Sequence, residues 1–153
     1  MKKISVVLVC VFLWGCGEST PPCHFNGVAR QAVSAGCIVL NESKVLLVQI
    51  PGGRFEMPNG LADSDESAQC VAERQAFETA GIEVIAEELA IAFEDGSELF
   101  WCKPLAGTEI KISRPLEIMH ADWYAREQFD DLRWRYPSEP LYLEALLKKR
   151  WGR

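Results

Sequence analysis

A short stretch of the chain concentrates the side chains that could do chemistry. Glu66, Arg74, Gln75 and Glu78 lie close together in the sequence, and Thr79 follows directly. Positions 75, 78 and 79 fall within about 100° of one another on a helix of about 3.6 residues per turn, so they share one face. Carboxylates on that face would offer hard oxygen ligands to a divalent cation that bridges a pyrophosphate and orients an attacking water. Their number therefore matters.

The residues around this face predict a helix between two loops. From Glu66 to Ala80 there is no proline or glycine, and Gly81 stands where a helix would end. Residues 51–60 are rich in glycine and proline, and the polar residues at 63–65 offer N-cap chemistry. The sequence therefore predicts a loop-helix-loop that carries the polar face.

Apolar runs of strand type surround this segment. Residues 35–40 and 45–50 are separated by Asn-Glu-Ser-Lys and predict a hairpin. Further predicted strands are 82–84, 89–93, 98–102 and 118–124, with Asp95-Gly96 as a hairpin turn. The tail predicts helices at 126–132 and 139–150. Together these elements predict an α/β domain with a mixed sheet.

The segment from Gly60 to Ile82 resembles the Nudix box, G-x5-E-x7-R-E-U-x-E-E-x-G-U with U apolar. The residues that match at the required spacings are Gly60, Glu66, Arg74, Glu78, Gly81 and Ile82. The preceding Phe-Glu-Met-Pro-Asn-Gly at 55–60 is similar to the family's W-x-x-P-G-G, and residues 117–132 resemble its final strand, aromatic pair and short helix. The resemblance spans residues 35–147.

The resemblance implies a Nudix-type α/β/α sandwich that hydrolyses a nucleoside diphosphate linked to another moiety, using Mg²⁺ or Mn²⁺. It implies a small phosphorylated molecule as substrate. By the same resemblance Glu66 is the partner of Arg74. Glu78 is a metal ligand, together with the backbone carbonyl of Gly60 and with Glu117 from a distal loop. These carboxylates could also be ordinary surface charges, and a helix N-terminus alone favours an acidic residue such as Glu66.

The box departs from the family at two carboxylates. Gln75 and Thr79 stand where the family has glutamates. Gln75 cannot take a proton from water at neutral pH, although its amide oxygen still accepts a hydrogen bond. Losing a general base typically costs about 10²- to 10⁴-fold in rate, and fewer anionic ligands weaken metal binding. The sequence therefore leaves three hypotheses open: a weak or specialised hydrolase, a module that binds a phosphorylated ligand, or a structural envelope lipoprotein.

The N-terminus predicts export. Lys2 and Lys3 precede an apolar run at 4–14, which is far shorter than the roughly 20 residues that span a bilayer. The boundary Leu-Trp-Gly-Cys resembles a lipobox, with Trp14 as a departure and Cys16 as the lipidated residue. We therefore expect a signal peptide at 1–15, a lipid-anchored linker at 16–34 and a Nudix-like domain at 35–153. The mature protein would face the periplasm, with the outer membrane favoured.

Four further cysteines would then lie in an oxidising compartment. They are Cys23, Cys37, Cys70 and Cys102, which allow two disulfides in three connectivities. None has the short spacing of a zinc knuckle, and buried unpaired thiols are the alternative. We expect at least one disulfide among them.

The overall charge and length exclude some further classes of protein. A formal net charge of −6 gives no reason to expect binding to a nucleic acid polymer. A chain of 153 residues fits one domain after removal of the signal peptide. The substrate and the oligomeric state stay open, because the residues that choose a substrate lie outside the box.

Overall fold

The computed structural model describes residues 19–152, and the predicted signal peptide and Cys16 lie outside them. Seven strands, two α-helices and one 3-10 helix follow in chain order: β1 Ser34–Asn41, β2 Lys44–Ile50, β3 Arg54–Glu56, β4 Asn59–Leu61, α1 Ala68–Ala80, β5 Val84–Ala92, β6 Ser97–Pro104, β7 His120–Ala125, the 3-10 helix Arg126–Asp131 and α2 Glu139–Trp151. The predicted hairpin, box helix and C-terminal helix are confirmed. The strands predicted at 82–84 and 89–93 form the single strand β5, and the predicted helix at 126–132 has 3-10 geometry.

The strands form one mixed sheet, as predicted. The central strand β1 pairs in parallel with β6, while β2 and β4 pair with opposite ends of β1 in antiparallel fashion. β5 is antiparallel to β6, and β3 and β7 are both antiparallel to β2. The short strand β4 therefore connects the central strand directly to the loop that precedes α1.

The sheet separates two hydrophobic cores. Side chains alternate along β1, so Cys37 and Val39 belong to the core beneath α1, whereas Ile38 belongs to the core beneath α2. From the helices, Val71 completes the first core and Leu143 the second. This arrangement confirms the predicted α/β/α sandwich. No helix among residues 19–152 is both long and apolar enough to cross a membrane.

The N-cap of α1 differs from the one expected at 63–65. Ser67, in an extended conformation, accepts a hydrogen bond from the backbone N–H of Cys70 at 3.3 Å. The earlier polar residues form a turn instead, in which Asp65 has a left-handed φ of 64°. At the other end Gly81 takes the left-handed conformation that ends the helix, with φ of 70°. The box helix is therefore capped at both ends by its own sequence.

Residues 19–33, called the N-terminal strap below, pack along α1. The carbonyl of Arg30 accepts from the first helical N–H at Ala68, 2.8 Å away, and the Gln69 amide bonds to Arg30 and Val28. The Arg30 guanidinium forms a bidentate ion pair with Glu98 of β6. The chain that leads back towards Cys16 is therefore fastened to the domain over its described length.

Two disulfides form in the structure, and they settle the connectivity that the sequence left open. Cys23 bonds to Cys70 and so attaches the N-terminal strap to α1, with the Cα atoms 5.2 Å apart. Cys37 bonds to Cys102 and joins the neighbouring strands β1 and β6, with the Cα atoms 5.5 Å apart. Both separations are ordinary for disulfides. The expectation of at least one disulfide is met twice.

We expect each disulfide to stabilise the fold by about 2 to 4 kcal/mol, since each closes a long loop. Urea unfolding of the double variant Cys37→Ser and Cys102→Ser should therefore show a lower midpoint than the wild type. Alkylation of the unreduced protein should modify none of the four cysteines. Mass spectra in which all four thiols carry the label would contradict both pairings.

Candidate active site

Glu66 and Arg74 form the most tightly bonded pair of the box. Arg74 Nε donates to Glu66 Oε1 at 2.8 Å and Nη2 donates to Oε2 at 2.6 Å, while Nη2 also reaches the carbonyl of Leu61 at 3.1 Å. Hydrogen bonds from Arg74 hold the pKa of Glu66 below its usual value, and the same bonds raise the pKa of Arg74. The pair fastens the middle of α1 to the loop after β4, as the box resemblance implies.

Glu78 lies between two guanidinium groups. Its Oε2 is 3.3 Å from Arg74 Nη1 and 2.9 Å from Arg114 Nη2, and its side chain is only 12% exposed. Arg114 also contacts Glu117, whose Oε2 is 3.3 Å from Nη1. The structure therefore brings the two predicted carboxylates to one arginine that sequence reasoning missed. Arg114 belongs to the loop between β6 and β7, and no motif spacing marks it.

Gln75 points into the interior of the domain. A Cβ on Gly60 would push against its amide, so the glycine leaves room for the Gln75 side chain beside β4. In the orientation that matches donors with acceptors, Nε2 donates to the Asn59 carbonyl at 3.1 Å and Oε1 accepts from Arg74 Nη1 at 2.9 Å. Gln75 thus fastens α1 to β4.

Thr79 is also turned inward. Its side chain is 8% exposed, and its hydroxyl donates to the Gln75 carbonyl one turn earlier at 2.6 Å. The face predicted at positions 75, 78 and 79 therefore carries a single carboxylate, Glu78. Both substituted positions have local hydrogen-bond partners.

A cleft of about 530 Å³ opens beside β4. Asn59 and Gly60 line it from β4, and the aromatic rings of Phe93, Tyr136 and Tyr142 line it from the β5–β6 turn and from α2 with its preceding loop. Four charged residues complete the wall: Asp95, Glu98, Arg135 and Glu139. Since β4 borders both the cleft and Gln75, the cleft adjoins the box helix. Sequence reasoning missed this cleft, because its walls come from distant segments.

The fold and the box geometry are those of a known family. The model of the NUDIX domain matches residues 30–145, which is most of the chain. The chain belongs to the Nudix family. Among curated relatives, it is 28% identical over 97 residues to a MutT-like protein of Streptomyces ambofaciens. That alignment covers 60% of this chain and 59% of the relative, so the chain spans little more than half the length of that protein.

Solved structures of other proteins share the fold. An ADP-ribose pyrophosphatase of Streptococcus suis superposes with a TM-score of 0.65 at 21% identity, covering 78% of this chain and 91% of that one. A UDP-X diphosphatase has a TM-score of 0.66 at 19% identity, covering 83% of this chain and 66% of that one. An Ap4A hydrolase of C. elegans has a TM-score of 0.63 at 18% identity, covering 78% of this chain and 99% of that one. At these identities the likeness shows the sandwich and not the substrate.

The Nudix box of this chain does not fit a tightly held Mg²⁺ or Mn²⁺. Such ions take about six or more oxygen ligands. Within residues 19–152 no three His, Cys, Asp or Glu side chains are grouped to hold a metal. Glu78 is paired with two arginines, Thr79 donates its proton inward and Glu117 is 67% exposed. The ligand set of Glu78, Glu117 and the Gly60 carbonyl, which the resemblance implies, is therefore not assembled as a metal centre.

Glu139 is a buried acid in the wall of the Nudix cleft. Its carboxylate accepts from the backbone N–H of Tyr136 at 3.0 Å. Burial raises its pKa to about 7. The hydrogen bond from the Tyr136 backbone lowers this pKa, whereas the negative charge of Glu56 raises it further. Burial likewise raises the pKa of Tyr142. The cleft wall is therefore a place where protonation changes near neutral pH.

We expect Glu139→Gln to stabilise the protein above neutral pH. The folded pKa of about 7 lies above the ordinary 4.5. The stabilising contribution of this carboxyl group is therefore fully present below the lower value and is lost as pH rises through the higher one. The variant should lack this loss and gain roughly 1 to 3 kcal/mol at alkaline pH. Urea unfolding across this range checks it, with Glu144→Gln on the same helix as control. Parallel pH profiles for wild type and Glu139→Gln would contradict it.

Proposed function

We propose that this Nudix protein holds a nucleoside-diphosphate-linked small molecule in the cleft and hydrolyses its pyrophosphate slowly. Family membership supplies the reaction class. The observation that carries the slow rate is the inward placement of Gln75 and Thr79, which leaves Glu78 as the single carboxylate on the box face. Without a second carboxylate, the face lacks both a general base and the charge that gathers a divalent cation.

The preserved parts of the site support binding. The Glu66 and Arg74 pair fixes the box loop, and Gly60 keeps the close approach of β4 to α1. The cleft beside them has the volume of a small-molecule site and combines apolar rings with a few charged groups. Aromatic walls suit a nucleobase, and Arg135, whose Nη1 is 2.7 Å from Glu56 Oε2, retains further N–H donors for an anionic group.

Calorimetry and a turnover assay on the same samples test this function. ADP-ribose, a UDP-sugar and Ap4A serve as probes, since solved relatives carry the names of such substrates. We expect binding of at least one probe. The rate at which phosphorylated products are released should be about 10²- to 10⁴-fold lower than that of a site with an intact general base. Absence of binding to every probe would contradict the proposal.

A second candidate is a binding module without turnover. The pairing of Glu78 with Arg114 favours it, because this ion pair occupies the remaining box carboxylate. Binding with no product over long incubation would support the module. Product formation that depends on Glu78 would support the hydrolase.

We also propose that the protein is exported and anchored through a lipid on Cys16, where it faces the periplasm. The disulfides of the structure suit an oxidising compartment. The roughly seven residues between Cys16 and Cys23 span at most about 25 Å. An anchor at Cys16 would therefore keep α1 close to the membrane surface.

We expect Cys16→Ser to yield an unanchored or unprocessed form in a Gram-negative host. The wild type should incorporate labelled fatty acid and fractionate with membranes, whereas the variant should take up no label. Cys23→Ser, which retains the proposed lipidation site, is the matched control. A wild-type chain that never takes up the label would contradict the anchor.

A further inference from the structure

The β6–β7 loop places Arg114 at the box face through several independent contacts. The loop N–H of Lys111 donates to the Ala80 carbonyl at 2.8 Å, and the hydroxyl of Ser113 donates to the Glu78 carbonyl at 3.1 Å. Ile110 and Ile112 pack against the core beneath α1. The loop is thus docked on the end of the box helix.

The charges around Glu78 balance without a metal. Arg74 is already engaged by Glu66 through two short hydrogen bonds, so its weaker contact with Glu78 at 3.3 Å leaves that carboxylate largely to Arg114 at 2.9 Å. One carboxylate needs one positive charge. A box face with three carboxylates would instead need at least one divalent cation to offset its negative charge.

The position of Arg114 also excludes a cation from the same oxygen. Its Nη2 contacts Oε2 of Glu78, the carboxylate through which the box resemblance would place a metal. A divalent ion there would have to displace the guanidinium or lie beside a like charge, which is unfavourable at such short range. The Arg114 side chain is 42% exposed, so it also faces solvent.

We propose that Arg114 takes the place of the divalent cation at Glu78, and that its guanidinium, which lies outside the lining of the cleft, directly meets the phosphate group of a ligand that extends from the cleft to the box face. A planar guanidinium is well suited to phosphate oxygens and needs no metal to bind them. Metal-independent ligand binding distinguishes this chain from the metal-dependent behaviour that its family implies. The ligand half of the inference rests on the proposed function, whereas the metal half does not.

The metal half is tested by Mn²⁺ binding, followed by electron paramagnetic resonance with no ligand present. Wild type should bind Mn²⁺ no better than Glu78→Gln. In a Gln75→Glu background, Arg114→Ala should tighten Mn²⁺ binding about tenfold or more by removing the competing cation. Arg114→Lys keeps the positive charge, so it should not tighten Mn²⁺ binding. Arg126→Ala removes a distant exposed arginine and serves as the matched control. Circular dichroism confirms that each variant is folded.

The ligand half is tested by calorimetry with ADP as the probe. Binding to wild type should be the same in EDTA and in Mg²⁺, and Arg114→Ala should weaken it tenfold or more while Arg126→Ala leaves it unchanged. Two results would overturn the replacement of the metal by Arg114. One is tight Mn²⁺ binding to wild type. The other is an Mn²⁺ affinity of the Gln75→Glu and Arg114→Ala variant that stays within twofold of Gln75→Glu alone. ADP binding that requires Mg²⁺ would overturn the direct contact. No ADP binding to wild type would overturn the ligand half and count against the proposed function, while the Mn²⁺ result would still stand.

Discussion

Replacing both Gln75 and Thr79 by glutamate is expected to raise hydrolysis of ADP-ribose or a related compound by about 10²-fold or more. The double change restores a three-carboxylate face together with Glu78 and so supplies the charge that gathers Mg²⁺. The measurement is the initial rate of product release in Mg²⁺. The double variant Gln31→Glu and Ser43→Glu adds the same charge at exposed positions and is the matched control.

The surroundings of the two positions predict unequal consequences. Gln75→Glu preserves shape, but it replaces the amide donor that faces the Asn59 carbonyl at 3.1 Å with an oxygen, so the carboxylate should move towards Arg74. Thr79→Glu places a longer side chain at a position where the threonine is only 8% exposed, so the new glutamate must turn outward. We therefore expect Gln75→Glu alone to recover part of the activity.

Glu78→Gln completes this test. In the repaired variant it should return the rate to background, because Glu78 is then a member of the metal-binding face. If Glu78→Gln left the rate of the repaired variant unchanged, catalysis would lie elsewhere in the protein. A repaired variant that binds metal and a probe yet hydrolyses nothing would favour the binding module.

Arg74→Ala is expected to destabilise the protein by roughly 3 to 5 kcal/mol, because it leaves the largely buried Glu66 without its arginine partner and leaves Glu78 with Arg114 alone. Glu66 and Glu78 are 17% and 12% exposed, and the Leu61 carbonyl loses a donor as well. The measurement is urea unfolding at neutral pH. Arg126→Ala breaks an exposed ion pair with Glu144 and should cost less than about 1 kcal/mol.

The pH dependence supplies a second readout of the same pair. The Glu66 pKa is lower in the folded protein than its ordinary 4.5, so its stabilising effect is present above that value. It is lost as pH falls through the lower folded value. Arg74→Ala should remove this acid-side loss. If the variant matched wild type in stability at neutral pH, the pair would not hold the box loop as described.

The fold could be predicted from the sequence because local signals agreed with it. Apolar runs of strand type marked β1 and β2, and the proline-free run that ends at Gly81 marked α1. The boundaries of α1 were less accurate, because several polar residues could cap it and only the backbone conformation selects Ser67. The pairing of four cysteines was undetermined, since only the course of the N-terminal strap brings Cys23 to Cys70.

The candidate site was predictable only where the motif carried the information. The spacing of Glu66 and Arg74 identified a pair that the structure contains. The contact between Arg114 and Glu78 depends on how the β6–β7 loop docks on α1, and neither periodicity nor spacing encodes that docking. The raised pKa of Glu139 likewise arises from burial against Tyr136 and Glu56, which only the tertiary fold brings together.

The most direct test of the central claim is a Mg²⁺ titration of wild-type turnover, with ADP-ribose as substrate and EDTA-treated protein as the starting point. Because Glu78 is the single carboxylate of the box face and Arg114 already offsets its charge, we predict a slow rate that does not rise as Mg²⁺ reaches millimolar concentrations. A fast rate that saturates with Mg²⁺, within the usual range of about 1 to 10³ per second, would contradict the account.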